Sequence, residues 1–293
     1  MPIAILGPTA SGKSAVAVAV ARRVGGTVVN GDPYQAIAGL AIGTGQPDAT
    51  ERGGVPHLGY GELPLSARPN PAAFGVWVRE RLSTCREAVL VTGSGLYLRG
   101  IWDQLSDLPE VPPALVERVR RWSPVLGAPV LHRYLAAVDP ARAAALHPND
   151  SARIQRALAL HLGSGQAPST FLSGPDTGIP GGWRVLVVSP GRERQRERVA
   201  ARVAAQVRAG WPKEARSLVA GGHAADLGAL RPLGYAAWLA GGDPAAIQAA
   251  VVQETQAYAK RQATWFRNQL PGAPTWDPDH EPLATAFARL GLA

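Results

Sequence analysis

The chain has 293 residues and a formal net charge of +8, with 46% apolar and 18% charged residues. That is enough hydrophobic material for one large domain, or for a core with a smaller inserted one, and it excludes wholesale disorder. The single cysteine, Cys85, excludes an intramolecular disulfide and a cysteine-based zinc site.

No apolar run approaches the ~20 residues that a bilayer-spanning helix requires. Met1 to Leu6 is too short and too uncharged for a signal peptide. A cytoplasmic protein without membrane attachment is expected, working as a monomer. Arginine carries nearly all the positive charge, since the only lysines are Lys13, Lys213 and Lys260. The guanidinium fork matches phosphate oxygens, so this balance suits nucleic-acid binding, although a solvated basic surface explains it equally well.

In chain order, Pro2 to Leu6 reads as a short apolar strand ending at Gly7. An alanine-rich helix follows over 14–24, then a β-branched strand at Thr27 to Asn30 and another at Ala88 to Thr92. Strands separated by helices imply an α/β fold, a parallel sheet covered on both faces. From Leu108 the texture becomes helical, at 115–122, 130–138 and 151–162, with Asp139-Pro140 and His147-Pro148 as breaks. Val185 to Val188 returns to strand. Val199, Val203 and Val207 mark one face of a helix over 197–209, and a last long helix is expected over about 244–266. The organisation this predicts is a P-loop core (1–107), a helical insertion (108–182), and a continuation of the core with C-terminal helices (183–293).

Gly7-Pro8-Thr9-Ala10-Ser11-Gly12-Lys13-Ser14 is a P-loop in its proper setting, after a strand and before a helix. Its glycines let backbone N–H groups turn inward around phosphate oxygens, and the helix N-terminus adds partial positive charge. Lys13 supplies a full charge, and the Ser14 hydroxyl can ligand Mg²⁺. The motif leaves open whether the phosphates belong to a nucleotide or to another diphosphate. A small-molecule or nucleotide kinase, with ATP in the loop and the Arg192 to Arg202 run as a lid, is the alternative.

Asp32 lies just past the second strand, where an open α/β sheet rims its ligand crevice. A carboxylate there could take a proton from a nucleophile, or could instead cap the turn before Pro33. Gly93-Ser94-Gly95 ends the third strand and reads either as a tight turn or as a second group of donors to the crevice. His57, His132 and His147 lack metal-ligand spacing and read as structural.

Five segments, in order, resemble the tRNA dimethylallyltransferase (tRNA isopentenyltransferase) family. They are the P-loop with its Pro-Thr-Ala-Ser interior, and Asp32-Pro33-Tyr34-Gln35 with Ile42-Gly43-Thr44. Gly93-Ser94-Gly95-Leu96-Tyr97 is the third, and His147-Pro148-Asn149-Asp150 with Arg153 and Arg156-Ala157-Leu158 the fourth. The fifth is Tyr258-Ala259-Lys260-Arg261-Gln262-Ala263-Thr264-Trp265-Phe266-Arg267.

The resemblance implies transfer of a dimethylallyl group from dimethylallyl diphosphate to N6 of an adenosine (position 37) beside the tRNA anticodon. It makes Asp32 the base, and Gly7, Pro8, Thr9, Ala10, Ser11, Gly12, Lys13 and Ser14 the diphosphate cradle, with Mg²⁺ on Ser14. Ser94 and Arg216 are implied as further diphosphate contacts. For tRNA it implies Asp32, Pro33, Tyr34, Gln35 and Ser94, the run Ala152, Arg153, Ile154, Gln155 and Arg156, and Arg231. Three positions depart from the family pattern: Pro33 replaces a serine, Gly45-Gln46-Pro47 stands where Ala-Lys-Pro is common, and Ala236 replaces a basic residue after Tyr235. Lys260 and Arg267 share one face of the last helix; Tyr258 and Trp265 share another and are expected in the core.

Overall fold

The computed structural model describes residues 1–105, 108–172 and 178–292. These divide into two compact units, one made of Met1–Asp103 with Thr177–Ala293, the other of Gln104–Asp176.

The larger unit is built on six strands: β1 (Ile3–Leu6), β2 (Thr27–Asn30), β3 (His57–Leu58), β4 (Ala88–Thr92), β5 (Arg184–Val188) and β6 (Thr275–Trp276). They form one sheet in the order β3-β2-β4-β1-β5-β6, every pair parallel. Its N-terminal helices are α1 (Lys13–Val24), α2 (Ala41–Thr44), α3 (Ala49–Arg52), α4 (Pro71–Ser83) and α5 (Gly95–Ile101). The expected α/β class is the observed one.

The strands are apolar throughout because both faces of the sheet are covered. Side chains alternate, so Ile3, Ile5, Val89, Val91, Leu186 and Val188 pack on one face with Val16 and Val20 of α1. Ala4, Leu6, Leu90, Val185 and Val187 pack on the other with Phe74 and Val78 of α4.

In the smaller unit α6 (Pro113–Leu126), α7 (Ala128–Val138), α8 (Pro140–Ala144) and α9 (Ser151–Ser164) enclose a core of Val119, Leu131, Leu135, Ile154 and Leu158. Buried Asp139 caps α8, accepting the Arg142 N–H at 2.9 Å, and also accepts the Ser169 N–H at 2.6 Å. Asp150 caps α9 in the same way. His132 Nε2–H donates to the carbonyls of Ala143 and Leu146, so it is structural here.

The chain then returns to the larger unit through α10 (Arg192–Arg208), α11 (Trp211–Ala220), α12 (Ala224–Leu230), α13 (Tyr235–Ala240), α14 (Pro244–Gln269) and α15 (Leu283–Arg289). A third cluster, with Val199, Val203, Trp211, Tyr235, Trp238 and Val251, joins these helices to Ile37 and Leu40. No helix among the described residues is long and apolar enough to cross a membrane.

Candidate active site

The register places three loops side by side at the carboxyl edge of the sheet. Leu6 pairs with Thr92, and Asn30 with Val91, so Gly7, Gly31 and Gly93 leave the sheet as neighbours. The cleft above them is lined by Thr9, Lys13, Asp32, Thr92, Arg202 and Gln262, and by the apolar surfaces of Val91, Trp211, Leu233 and Tyr258.

Three side chains brace the P-loop. Gln262 of α14 accepts the Thr9 N–H at 2.8 Å and donates to the Gly93 carbonyl at 2.9 Å, tying two of the loops together. Gln195 of α10 donates to the Thr9 carbonyl. Arg198, one turn further on, reaches the Ser11 carbonyl at 3.4 Å and pairs with Asp279 at 2.6 Å. α1 begins at Lys13 with no side-chain cap, so its first-turn N–H groups remain available to an anion.

Lys13 donates to the Pro8 carbonyl at 3.2 Å. Burial, reinforced by the charge of Arg202 and only partly offset by Asp32, lowers its pKa from 10.5 to about 8. Arg202 is itself pushed down by burial. Two cations thus share a cleft with too little negative charge to balance them, the electrostatic signature of an anion site. Ser14 is exposed on the first turn of α1. No group of three or more His, Cys, Asp or Glu that could hold a metal occurs among the described residues. One hydroxyl suffices for Mg²⁺ only where phosphate and water complete the shell, so the donor set fits a metal that arrives with a diphosphate.

Asp32 caps the turn and also faces the cleft. Oδ1 accepts the backbone N–H groups of Tyr34 and Gln35 at 3.0 and 3.4 Å, organising the turn. Oδ2 accepts the Ser94 hydroxyl at 3.4 Å and faces the cleft. Ser94 is buried, and its N–H is held by the Thr92 hydroxyl, which donates in turn to the Gly31 carbonyl. The Asp32 charge is felt widely. Burial and then that charge raise Tyr34, and burial, Tyr34 and Asp32 raise Tyr97 to about 12. Tyr258 is also raised to about 12, first by burial and then by Asp32. The carboxylate is therefore ringed by phenols that stay neutral.

One wall is the segment Ile42-Gly43-Thr44. Glu214 of α11 accepts the N–H groups of Ile42 and Gly43 at 2.8 and 3.0 Å, and Tyr235 donates its hydroxyl to the same carboxylate at 2.6 Å. Gln206 donates to the carbonyls of Ile42 and Gly43, and Gln35 to those of Thr44 and Gly45. Gln46, at the position where a lysine is common, donates inward to the Ile37 carbonyl at 2.8 Å.

Arg216 is corrected by the structure. It is exposed on α11 and does not line the cleft, because Glu214 and the buried Ala215 face inward and Arg216 follows on the outer side. The arginine that enters is Arg202, whose guanidinium donates to the Thr44 carbonyl at 3.1 Å. Its signal was present in the sequence. Gln195, Arg198, Arg202 and Gln206 recur at three- and four-residue steps, a polar stripe beside the Val199-Val203-Val207 face.

Tyr258, expected in the core, lines the cleft, whereas Trp265 packs with Phe266 as expected. Tyr34 lines the main cleft and also a smaller cavity with buried Pro33, Arg68 and Tyr97. Arg231 is exposed at the end of α12, in the left-handed region at φ 48°, and borders the main cleft. In the smaller unit Ala152, Arg153 and Arg156 are exposed, and Gln155 donates to the Ser151 hydroxyl. Ile154 is fully buried in that unit's core, so its side chain is not an RNA contact.

The family described as IPP transferase matches residues 35–269, and one described as isopentenyl transferase matches residues 2–57. A tRNA dimethylallyltransferase of Rhodospirillum centenum is 38% identical over 94% of this chain and 92% of its own length. One from Sinorhizobium medicae is 39% identical with the same coverage of both chains. Among solved structures, a eukaryotic dimethylallyltransferase acting on tRNA shares the fold, with a TM-score of 0.76 at 21% identity, over 98% of this chain and 77% of the other. Matched along nearly its whole length, this chain belongs to the IPP transferase family.

Proposed function

We propose that the protein transfers a dimethylallyl group from dimethylallyl diphosphate to N6 of the adenosine at position 37 of tRNA. The observation that carries this reading is the meeting of three things in one cleft: a braced P-loop with Lys13 and Arg202, Asp32 with its Oδ2 bonded to the Ser94 hydroxyl, and an apolar wall. The names of the two bacterial relatives support it.

The P-loop N–H groups, Lys13 and Arg202 hold the diphosphate, and Ser94 is placed to donate to it or to orient Asp32. Asp32 accepts one N6–H of the adenine and aims the nitrogen lone pair at C1 of the donor. The N6–C1 bond forms, the C1–O bond breaks, and its electron pair leaves with diphosphate. The surplus proton passes from nitrogen to Asp32. Cations placed where charge develops typically contribute about 10²–10³ each in rate, and a positioned base about 10²–10⁴. Mg²⁺, held by Ser14 together with the diphosphate, would add charge neutralisation of the leaving group.

The adenosine must leave its stack to reach Asp32. Arg231 and the exposed Ala152, Arg153 and Arg156 are read as contacts to the surrounding RNA, with Pro33, Tyr34 and Gln35 about the extruded base. The reading carries with it a cytoplasmic location and a single chain as the working unit. Incubation with Mg²⁺, labelled dimethylallyl diphosphate and unmodified tRNA should put label into the RNA. Label passing instead from ATP to a small acceptor, with none from the isoprenoid, would replace this reading with a kinase.

A further inference from the structure

We propose that Trp211 is the end wall of the donor site and limits the transferred chain to five carbons, an inference that rests on the isoprenoid reading above. Trp211 lines the cleft although only 1% of its surface is exposed, so it acts as a boundary rather than a mobile gate. Its ring is locked in place. Tyr235 packs on it edge-on at 5.7 Å and Trp238 at 6.3 Å. The remaining approaches are taken by two glycines. A Cβ on Gly43 would overlap Nε1 of the indole, and one on Gly234 would come within 2.6 Å of its six-membered ring. A ring packed this closely has nowhere to swing, and close-packed interiors do not yield to a longer ligand.

α10 runs beside the cleft and gives a length for comparison. Arg198 touches the P-loop at Ser11, and Gln206 touches Gly43, against which Trp211 lies. The eight residues from Arg198 to Gln206 span ~12 Å at the helical rise. At ~1.2 Å of extension per covalent bond, a dimethylallyl diphosphate reaches ~9 Å from its terminal phosphorus. A ten-carbon geranyl chain adds ~5 Å and so exceeds that span.

The unaltered protein should therefore use geranyl diphosphate at least ~50-fold less efficiently than dimethylallyl diphosphate, as judged by kcat/KM for transfer to tRNA. Trp211→Leu and Trp211→Ala should raise the geranyl-to-dimethylallyl ratio at least ~10-fold. Trp238→Leu, which loosens the same cluster from behind without bordering the cleft, should raise the ratio less than Trp211→Leu does. Comparable use of both donors by the unaltered protein would overturn the proposal, as would an equal change of ratio in Trp238→Leu. A second readout needs no variant: thiolodiphosphate analogues should inhibit the unaltered protein, with the ten-carbon analogue at least ~10-fold weaker than the five-carbon one. Equal inhibition would also overturn the wall. Transfer of neither donor by the unaltered protein would defeat the transferase reading, and this proposal with it.

Discussion

Lys13 gives the site a measurable pH signature. Its pKa of about 8 means that it is mostly charged at pH 7 and mostly neutral at pH 9.5. A bound diphosphate replaces the missing negative charge and returns the lysine toward its ordinary value of 10.5. Phosphate groups have second ionisations near ~6, so the ligand's own charge is constant above pH 7.5. Affinity should be greatest near pH ~7.5 and decline above pH 8, because binding must then recruit a proton onto Lys13. Full recovery of 10.5 would correspond to about 3 kcal/mol, but water remaining in the cleft screens the charge. A fall of roughly tenfold in affinity between pH 7.5 and 9.5 is the working expectation. Calorimetric titration with dimethylallyl thiolodiphosphate reads this directly, and Lys13→Arg should abolish the slope because guanidinium stays charged throughout. The lysine's contribution to stability runs the other way. The unfolded chain binds the proton more readily between pH 8 and 10.5, so in the ligand-free protein this term stabilises the fold as pH rises through that window. Unchanged affinity from pH 7.5 to 9.5, or a slope that survives Lys13→Arg, would refute the electrostatic account of the cradle.

Asp32→Asn should lower kcat by about 10²–10⁴ in the tRNA transfer assay while changing the diphosphate Kd less than ~3-fold; a large loss of binding would mean that the turn made by Oδ1 matters more than the base. Arg202→Met should cut kcat/KM by about 10²–10³, whereas Arg216→Ala should stay within twofold, and the reverse order would return Arg216 to the site. Gln262→Leu removes both links between the P-loop and the Gly93 turn, and should cost about 1–3 kcal/mol in denaturant unfolding and weaken diphosphate binding together. Loss of stability alone would make Gln262 a packing residue only.

The parts of this molecule that announce themselves in sequence are those with a local physical signature. The P-loop is contiguous, and its flanking strand and helix are set by apolar runs and glycine punctuation, so Gly7 to Ser14 could be placed directly. Asp32 was legible because it follows a β-branched run, yet the division of labour between its two oxygens depends on Ser94, 62 positions away. Helix α4 was missed because Phe74, Val76, Trp77 and Val78 go round its axis rather than along one face, and Val76 is exposed. β3 and β6 have two residues each, too few to show an alternation. The exchange of Arg216 for Arg202 has a similar origin. Both lie near lysine- or arginine-bearing helix turns, and only the packing of α10 and α11 decides which faces inward. Spacing alone puts Tyr258 in the core, since periodicity tells which face is inward but not whether that interior holds a cleft.

The brace at Gln262 ties the order of synthesis to competence. The Thr9 N–H finds its partner 253 positions later in the chain. A growing polypeptide that has passed the first hundred residues already carries the whole phosphate-gripping motif, yet no side chain bridges its two glycine turns. Until residue 262 has emerged and α14 has docked, the P-loop of the nascent protein lacks its bridge to the Gly93 turn.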